Sequence, residues 1–393
     1  MTKIVFLFII FNIIICNNLN FQNQIFYNLL QLTYNKLQSL TGYKYKKKNI
    51  CISPLSIYQI ISLTSNGANG KTQKEILEVL TKKNDQKTQI NLNINNENIL
   101  KIYNNNINIS IANAIMSKIP ISDKFGLICK RYKAFYSILK NVEQVNKWCE
   151  ENTNGKIKKI IDNINGVDLI LLNAVYFKYD WKYPFKKTST SKKDFYNENK
   201  SISKVDMMSN NFNNIMYYED DKIQMIELPY KDDNLSMIII LPIKEKYSSL
   251  LDYYNEEKNN FSKLINKLKI KQNVILNLPK FEIEYETSLK DSLMYMNMKV
   301  AFNNNADFSK VSNDYKLFID DIIHKTYIKV DELGTEAAAV TAVIMVRSAG
   351  RIFDDVIYMN VDHGFFYMIR DKRIKDTNSN NMMLFIGVVN NLK

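Results

Sequence analysis

The chain has 393 residues, 46% hydrophobic and 24% charged, with only 10 Gly and 6 Pro. These proportions exclude disordered, linker-rich and collagen-like chains and suit one large domain or a few small ones. Two His (His324 and His363) leave little material for His-based metal sites or His-assisted nucleophiles, and Lys and Arg (53) outnumber Asp and Glu (40), a net +13 that permits polyanion attraction without defining a fold.

The first element read from the N-terminus is a targeting signal. Met1-Thr2-Lys3 is a short positive start, Ile4 to Ile15 is apolar apart from Asn12, and small Cys16 precedes polar Asn17-Asn18. That run is too short to span a bilayer and has the layout of a secretory signal over 1–16, with cleavage within 16–18. Secretion of the remaining 17–393 as a single domain is the expectation. N-x-S triplets at Asn108, Asn199, Asn234 and Asn260 are candidate glycosylation sites that fit this route. Past Cys16 remain Cys51, Cys129 and Cys149, an odd number that reads as buried thiols with at most one pair bridged.

Residues 20–40 carry apolar side chains at helical spacing (Phe21, Ile25, Leu29, Leu30, Leu37 and Leu40) and read as an amphipathic helix. The densest basic run, Lys44 to Lys48, reads as solvated surface, or as a weak patch for a glycosaminoglycan or acidic lipid. Ser53-Pro54 opens a buried helix that Gly67-Ala68-Asn69-Gly70 ends, and Thr72 to Leu80 starts another. Residues 84–106 are Asn-dense and suggest no element. Ile109 to Met116 reads as a strand, and Val142 to Ile161 as a helix centred on Trp148. Leu169 to Phe177 is almost wholly apolar, as in a central strand buried on both faces. Strands follow at Ile223 to Leu228, Met237 to Leu241 and Val274 to Leu278, with a short helix at Lys263 to Leu268. Helices come early and strands late without βαβ alternation, so the class is α+β around large, mostly antiparallel sheets. No zinc-finger spacing and no Arg/aromatic RNA-binding strand occurs, and no nucleic acid, membrane or metal partner is expected.

Asp331 to Arg351 carries the functional signal. Side chains at 335, 337, 339, 341, 343 and 345 are Thr, Ala, Ala, Thr, Val and Met, mostly small at alternate positions, as a strand sliding between two others requires. Gly334 makes a hinge, Glu336 has the opposite parity, and from Arg347 the segment turns polar and basic like an exposed loop. One stretch is thus compatible with two states, loop and inserted strand.

In this it resembles the serpin family. The family hinge of Glu, Gly, Thr, Glu and an Ala run ending in Thr corresponds to Glu332, Gly334, Thr335, Glu336, Ala337, Ala338, Ala339, Val340 and Thr341. The resemblance spans nearly all of 17–393. Asn49 with Ser53-Pro54 and Ser56, Asn113-Ala114, Leu172 to Lys178 with Trp181 and Pro184-Phe185, Glu227 to Tyr230, Leu278 to Phe281, Ala306 to Ser309 and Phe385-Ile386-Gly387 match in family order. Gly364 departs from the usual Pro beside His363.

The resemblance implies an α+β serpin fold of three β-sheets with about eight to nine helices and a reactive centre loop near 335–360. It implies a monomeric inhibitor rather than an enzyme, with no cofactor beyond an optional glycosaminoglycan and a trypsin-like serine protease as covalent partner. The cleaved loop would enter the main sheet and drag the enzyme with it. By family position, Ser53, Ser56, Asn173 and His324 belong to the shutter beneath the moving strands, with His324 a hydrogen-bonder rather than a catalyst. Trp181 stands where insertion begins, and Lys280 would pair Glu332. Spacing counted from Glu332 favours cleavage at Arg347-Ser348 or Ser348-Ala349, whereas counting back from Phe365 favours Arg351-Ile352. Either Arg would suit a specificity pocket with an acid at its base. A non-inhibitory carrier, chaperone or storage role is the alternative, and the small hinge residues speak against it.

Overall fold

The structure, a computed structural model, describes residues 21–44, 49–103, 106, 108–258, 261–335, 356–373 and 382–393. These contain eight α-helices and three sheets. The helix expected over 20–40 is shorter: α1 (21–33) buries Phe21, Ile25, Leu29 and Leu30, whereas Leu37 and Leu40 lie beyond its end, Leu37 half-buried and Leu40 exposed. Strand β1 (Ile50–Ile52) leads into α2 (Pro54–Gly67), which is buried almost throughout. The Ser53 side chain caps α2 by accepting from Ser56 N–H, and Pro54 occupies its first turn, where no intrahelical N–H is needed. Helix α3 (Gly70–Thr81) follows.

The Asn-dense segment is a helix, α4 (Gln86–Ile102), which the sequence reading left unassigned. Its periodicity is weak because its inner face is largely amide. Leu92 and Ile99 are buried beside Asn95 and Asn96, Asn66 and Asn93 exchange amide hydrogen bonds, and the Asp85 carboxylate caps the helix at Thr88 N–H. The helix expected over Val142 to Ile161 is shorter: α6 (Val142–Asn152) stops where Asn154 and Gly155 adopt positive φ. Beyond that turn Ile157 and Ile160 still pack with Trp148, so their apolar spacing reports burial without helix. The short helix near Lys263 is a 3₁₀ segment, Phe261–Lys267.

The expected strands are present. The main sheet contains β2 (Ile109–Ser117), β3 (Phe135–Ile138), β4 (Leu169–Phe177), β5 (Tyr179–Asp180), β13 (Phe281–Ser288), β14 (Asp321–Val330) and β15 (Gly334–Thr335). Strand β4 is buried at every position, as its continuous apolar run requires. It pairs antiparallel with β2 and parallel with β14, where Asp321 to Tyr327 face Ile170 to Tyr176. β13 runs antiparallel on the other side of β14. A second sheet has the order β1-β18-β17-β10-β9-β8-β11, built from β8 (Ile215–Glu219), β9 (Ile223–Pro229), β10 (Leu235–Pro242), β11 (Lys269–Lys271), β17 (Phe365–Asp371), β18 (Met382–Val389) and β1. A third contains β6 (Ser191–Tyr196), β7 (Ile202–Phe212), β12 (Val274–Pro279) and β16 (Ile357–Asn360).

Candidate functional site

Two polar clusters lie along the β4–β14 seam. In the first, Asn113, Asn173 and His324 occupy one cross-strand row, since Asn113 faces Asn173 and Asn173 faces His324 in register. The Ser53 backbone N–H donates to His324 Nε2 at 3.0 Å, which puts the ring proton on Nδ1. Nδ1 then donates to Asn173 Oδ1 at 2.5 Å. The Asn173 amide in turn donates to Asn113 Oδ1 at 2.5 Å and to Ser56 Oγ. All five residues are buried, and burial drives the His324 pKa down to about 3, so the ring is neutral. The structure thus joins four sequence candidates (Ser53, Ser56, Asn173 and His324) in one network. The His324–Asn173 bond crosses the seam itself, so any strand entering between β4 and β14 must break it.

The second cluster is at the end of the seam. After Val330 the chain turns through Asp331, Glu332 and Leu333 and returns as β15, with Asp331 N–H donating to Gly334 O. Thr335 pairs antiparallel with Val330 on one side and Tyr179 on the other. It therefore lies between β14 and β5, the continuation of β4. Gly334 is required by close approach: a Cβ there would stand 2.2 Å from Tyr179 O. Trp181 braces this turn. Its indole N–H donates to Asp331 O at 3.0 Å, its backbone N–H donates to Leu333 O at 2.8 Å, and its ring stacks on Tyr230 at 4.6 Å. The Tyr230 and Thr335 hydroxyls are 2.6 Å apart, and burial pushes the Tyr230 phenol pKa well up.

Glu332 pairs with Lys280 Nζ at 2.7 Å, as the family position suggests, and its Oε1 also accepts from Thr190 Oγ1 at 2.8 Å. Burial alone would raise the Glu332 pKa, but the hydrogen bonds from Lys280 and Thr190 leave it below the usual carboxylate range. Asn113, Thr190 and Tyr230 were not among the site residues read from the sequence. Asn113 and Tyr230 stand in motifs that matched the family and could have been noticed there. Nothing around Thr190 marks it, because a 3₁₀ turn (Lys187–Ser189) and the fold bring it to Glu332.

Thr335 is the last described residue before 356, and Ile357 to Asn360 pair parallel with β12 in the third sheet. The remaining hinge candidates (Glu336, Ala337, Ala338, Ala339, Val340 and Thr341) and the scissile-bond candidates (Arg347, Ser348, Arg351 and Ile352) lie outside the described residues, as does Asn260. Of the other sequons, Asn199 and Asn234 are exposed and Asn108 is half-buried. Lys44 is exposed, and 45–48 lie outside the described residues. Cys51, Cys129 and Cys149 are buried free thiols whose pKa burial raises, to about 11 for Cys51 and about 12 for the other two. His363 is held by the Pro242 carbonyl at 2.8 Å and by Asp362 at 2.7 Å. Among the described residues no group of three or more His, Cys, Asp or Glu is arranged to hold a metal ion, and no helix is long and apolar enough to cross a membrane.

The family model described as Serpin (serine protease inhibitor) matches residues 28–392. Iripin-1 of Ixodes ricinus is 33% identical over 369 residues, covering 88% of this chain and 90% of its own length. Intracellular coagulation inhibitor 2 of Tachypleus tridentatus is 33% identical over 370 residues, covering 88% of this chain and 86% of its own. Among solved structures, the thermophilic serpin tengpin in its native state superposes with a TM-score of 0.80 at 30% identity, over 96% of this chain and 93% of its own. Thyroxine-binding globulin in complex with thyroxine shares the fold at 22% identity and a TM-score of 0.78, over 94% of this chain and 98% of its own.

Proposed function

We propose, from the premise that this chain belongs to the serpin family, that it is a secreted suicide-substrate inhibitor of trypsin-like serine proteases. The observation that carries the reading is Thr335, seated between Val330 and Tyr179 while β4 and β14 still pair directly below it. A strand continuing from Thr335 would run antiparallel to β14. Because β4 is parallel to β14, the same strand would run antiparallel to β4 as well. Insertion would replace one parallel ladder with two antiparallel ones, which have the better hydrogen-bond geometry. The small side chains at 335, 337, 339 and 341 suit the face that such a strand would bury.

In this mechanism the protease serine attacks the carbonyl of Arg347-Ser348, or of Arg351-Ile352 if the longer count holds. The peptide bond breaks, the new amino terminus leaves with its proton, and the enzyme stays esterified to the Arg carbonyl. Insertion then carries that ester away from the hinge, and the chain's own residues supply the drive by zipping into the seam. The protein contributes a bond and a moving strand, and the catalytic groups belong to the target.

Incubation with trypsin tests the proposal. An SDS-stable complex of the two chains is expected, and mass spectrometry of the released C-terminal fragment should begin at Ser348 or Ile352. Cleavage without any complex would instead favour the carrier, chaperone or storage alternative. The signal over 1–16 is tested separately, by N-terminal sequencing of protein recovered from culture medium. A mature terminus within 17–19 is expected, and protein retained in cells with Met1 intact would refute secretion.

A further inference from the structure

Helix α4 faces the wrong way for an ordinary surface helix. Its exposed side chains are Gln86, Lys87, Ile90, Ile94 and Lys101, and none is acidic. Lys87, Ile90, Ile94 and Lys101 follow the spacing i, i+3, i+7 and i+14, so they share one side of the helix. Ile90 is 53% exposed and Ile94 48% exposed, while Asn95 and Asn96 are buried. Two β-branched hydrocarbons thus face out while two amides face in, the reverse of what burial alone would select.

The neighbouring α5 (Asp123–Arg131) extends the same surface. Leu127 is 65% exposed and stands one turn before Arg131, which contacts Glu97 of α4. Glu97 is one turn beyond Ile94 and Arg131 one turn beyond Leu127, so this ion pair sets the Ile94 and Leu127 turns on adjoining helices. Lys124 and Lys130 are exposed beside Leu127. The outcome is a two-helix ridge with three exposed apolar tips, flanked by Lys87, Lys101, Lys124 and Lys130 and by the acids Asp123 and Glu97.

We infer that this α4–α5 ridge is a docking surface for an anionic lipid bilayer. Two features select that occupant. Lys87, Lys101, Lys124 and Lys130 flank the apolar tips and outnumber the exposed Asp123 and the Arg131-paired Glu97, which suits a negatively charged plane, where each cation near the surface adds attraction. The apolar tips project singly from a ridge, as for insertion at the headgroup–acyl boundary, whereas a sulfated polysaccharide would use only the cations and leave Ile90, Ile94 and Leu127 without a role. The surface lies outside the two clusters on the β4–β14 seam, so its test is independent of the inhibitory mechanism.

The test is co-sedimentation of the full chain with vesicles of phosphatidylcholine alone or with about 30 mol% phosphatidylserine; partitioning is expected to be roughly tenfold or more higher on the anionic vesicles. Ile90→Ser/Ile94→Ser and Leu127→Ser, which keep every lysine, are expected to lower that binding severalfold while leaving retention on a heparin column unchanged. Circular dichroism and the melting temperature check that these exposed substitutions leave the fold intact. Equal partitioning on neutral and anionic vesicles would overturn the proposal. So would full binding by the Ser variants, which would leave a purely cationic patch for a polysaccharide. A self-association by size exclusion that the Ser variants abolish, without vesicle binding, would assign the ridge to a protein contact and equally overturn it.

Discussion

The hydroxyls of Tyr230 and Thr335 meet at 2.6 Å in a fully buried contact between residues 105 apart in sequence. Tyr230 directly follows β9 of the second sheet and bridges Trp181, and Thr335 is the last hinge residue described, so this bond ties the end of β9 to the main sheet where a strand would enter. An Arg side chain at 335 would bury a cation against Tyr230, at a cost of several kcal/mol. If the proposed inhibition holds, Thr335→Arg is therefore expected to turn complex formation into simple cleavage, raising the ratio of cleaved to complexed protein by tenfold or so, while Thr335→Ser keeps complex formation. Densitometry of SDS gels decides between these outcomes, and full complex formation by the Arg variant would contradict insertion from this hinge.

Acid should weaken the seam through His324. Its folded pKa is about 3 against an ordinary 6.5, because burial disfavours the cation. Between those values the unfolded chain binds the extra proton, so stability is present above pH 6.5 and is lost as pH falls toward 3. The slope approaches about 1.4 kcal/mol per pH unit once pH is below the unfolded value. Moving from about pH 7.5 to about pH 5.5 should lower the first unfolding transition more in the wild type than in His324→Asn, by about 1.4 kcal/mol. Parallel losses in the two proteins would show that His324 does not set this dependence.

Removing the Lys280 ammonium leaves the Glu332 carboxylate, 3% exposed, with only Thr190 as a side-chain partner. Lys280 is itself 35% exposed, so water offsets part of the loss. Lys280→Met is expected to destabilise the hinge turn by about 1–2 kcal/mol. Hydrogen exchange of the 332–335 amides should quicken correspondingly, and unchanged protection there would refute the assigned pairing.

Lys325 forms a different latch. Its ammonium is nearly buried between Glu284 at 2.9 Å and Glu286 at 3.0 Å on β13, and it donates to the Lys159 carbonyl in the segment after α6. Burial opposes its charge, but the two carboxylates more than compensate and hold its pKa above the usual value. This fastens the α6–β4 connection over β14, the strand that would part from β4 in the proposed insertion. Lys325→Met keeps the volume and removes the latch, so stability should change by about 1 kcal/mol or less. Annealing of a synthetic peptide of residues 335–346 into the sheet, followed on native gels, should accelerate severalfold. An unchanged annealing rate would remove the latch from the opening step.

The amino-acid order already specified much of this molecule. The unbroken apolar run at Leu169 to Phe177 could only be a doubly covered strand, and Ser53-Pro54 could only open a helix, because burial and capping are local demands written in adjacent residues. Of the small alternating side chains after Gly334, only Thr335 lies within the described residues. Where local pattern fell silent or misled, packing had taken over. Helix α4 is hidden because amides replace its hydrophobic stripe, and α6 reads too long because Ile157 and Ile160 keep a helical spacing after the helix has ended.

What tertiary structure alone decided is which polar side chains meet. Ser53 and His324 are 271 positions apart, and Asn113 and Asn173 are 60 apart, yet one hydrogen-bond network built on a cross-strand row unites them. No periodicity announces such a row, since a strand register is set by the whole sheet and each polar residue taken alone looks like an unsatisfied intruder in an apolar run. Thr190 reaches Glu332 for the same reason: a hydrogen bond depends on distances of a few ångströms that only the folded chain can bring about.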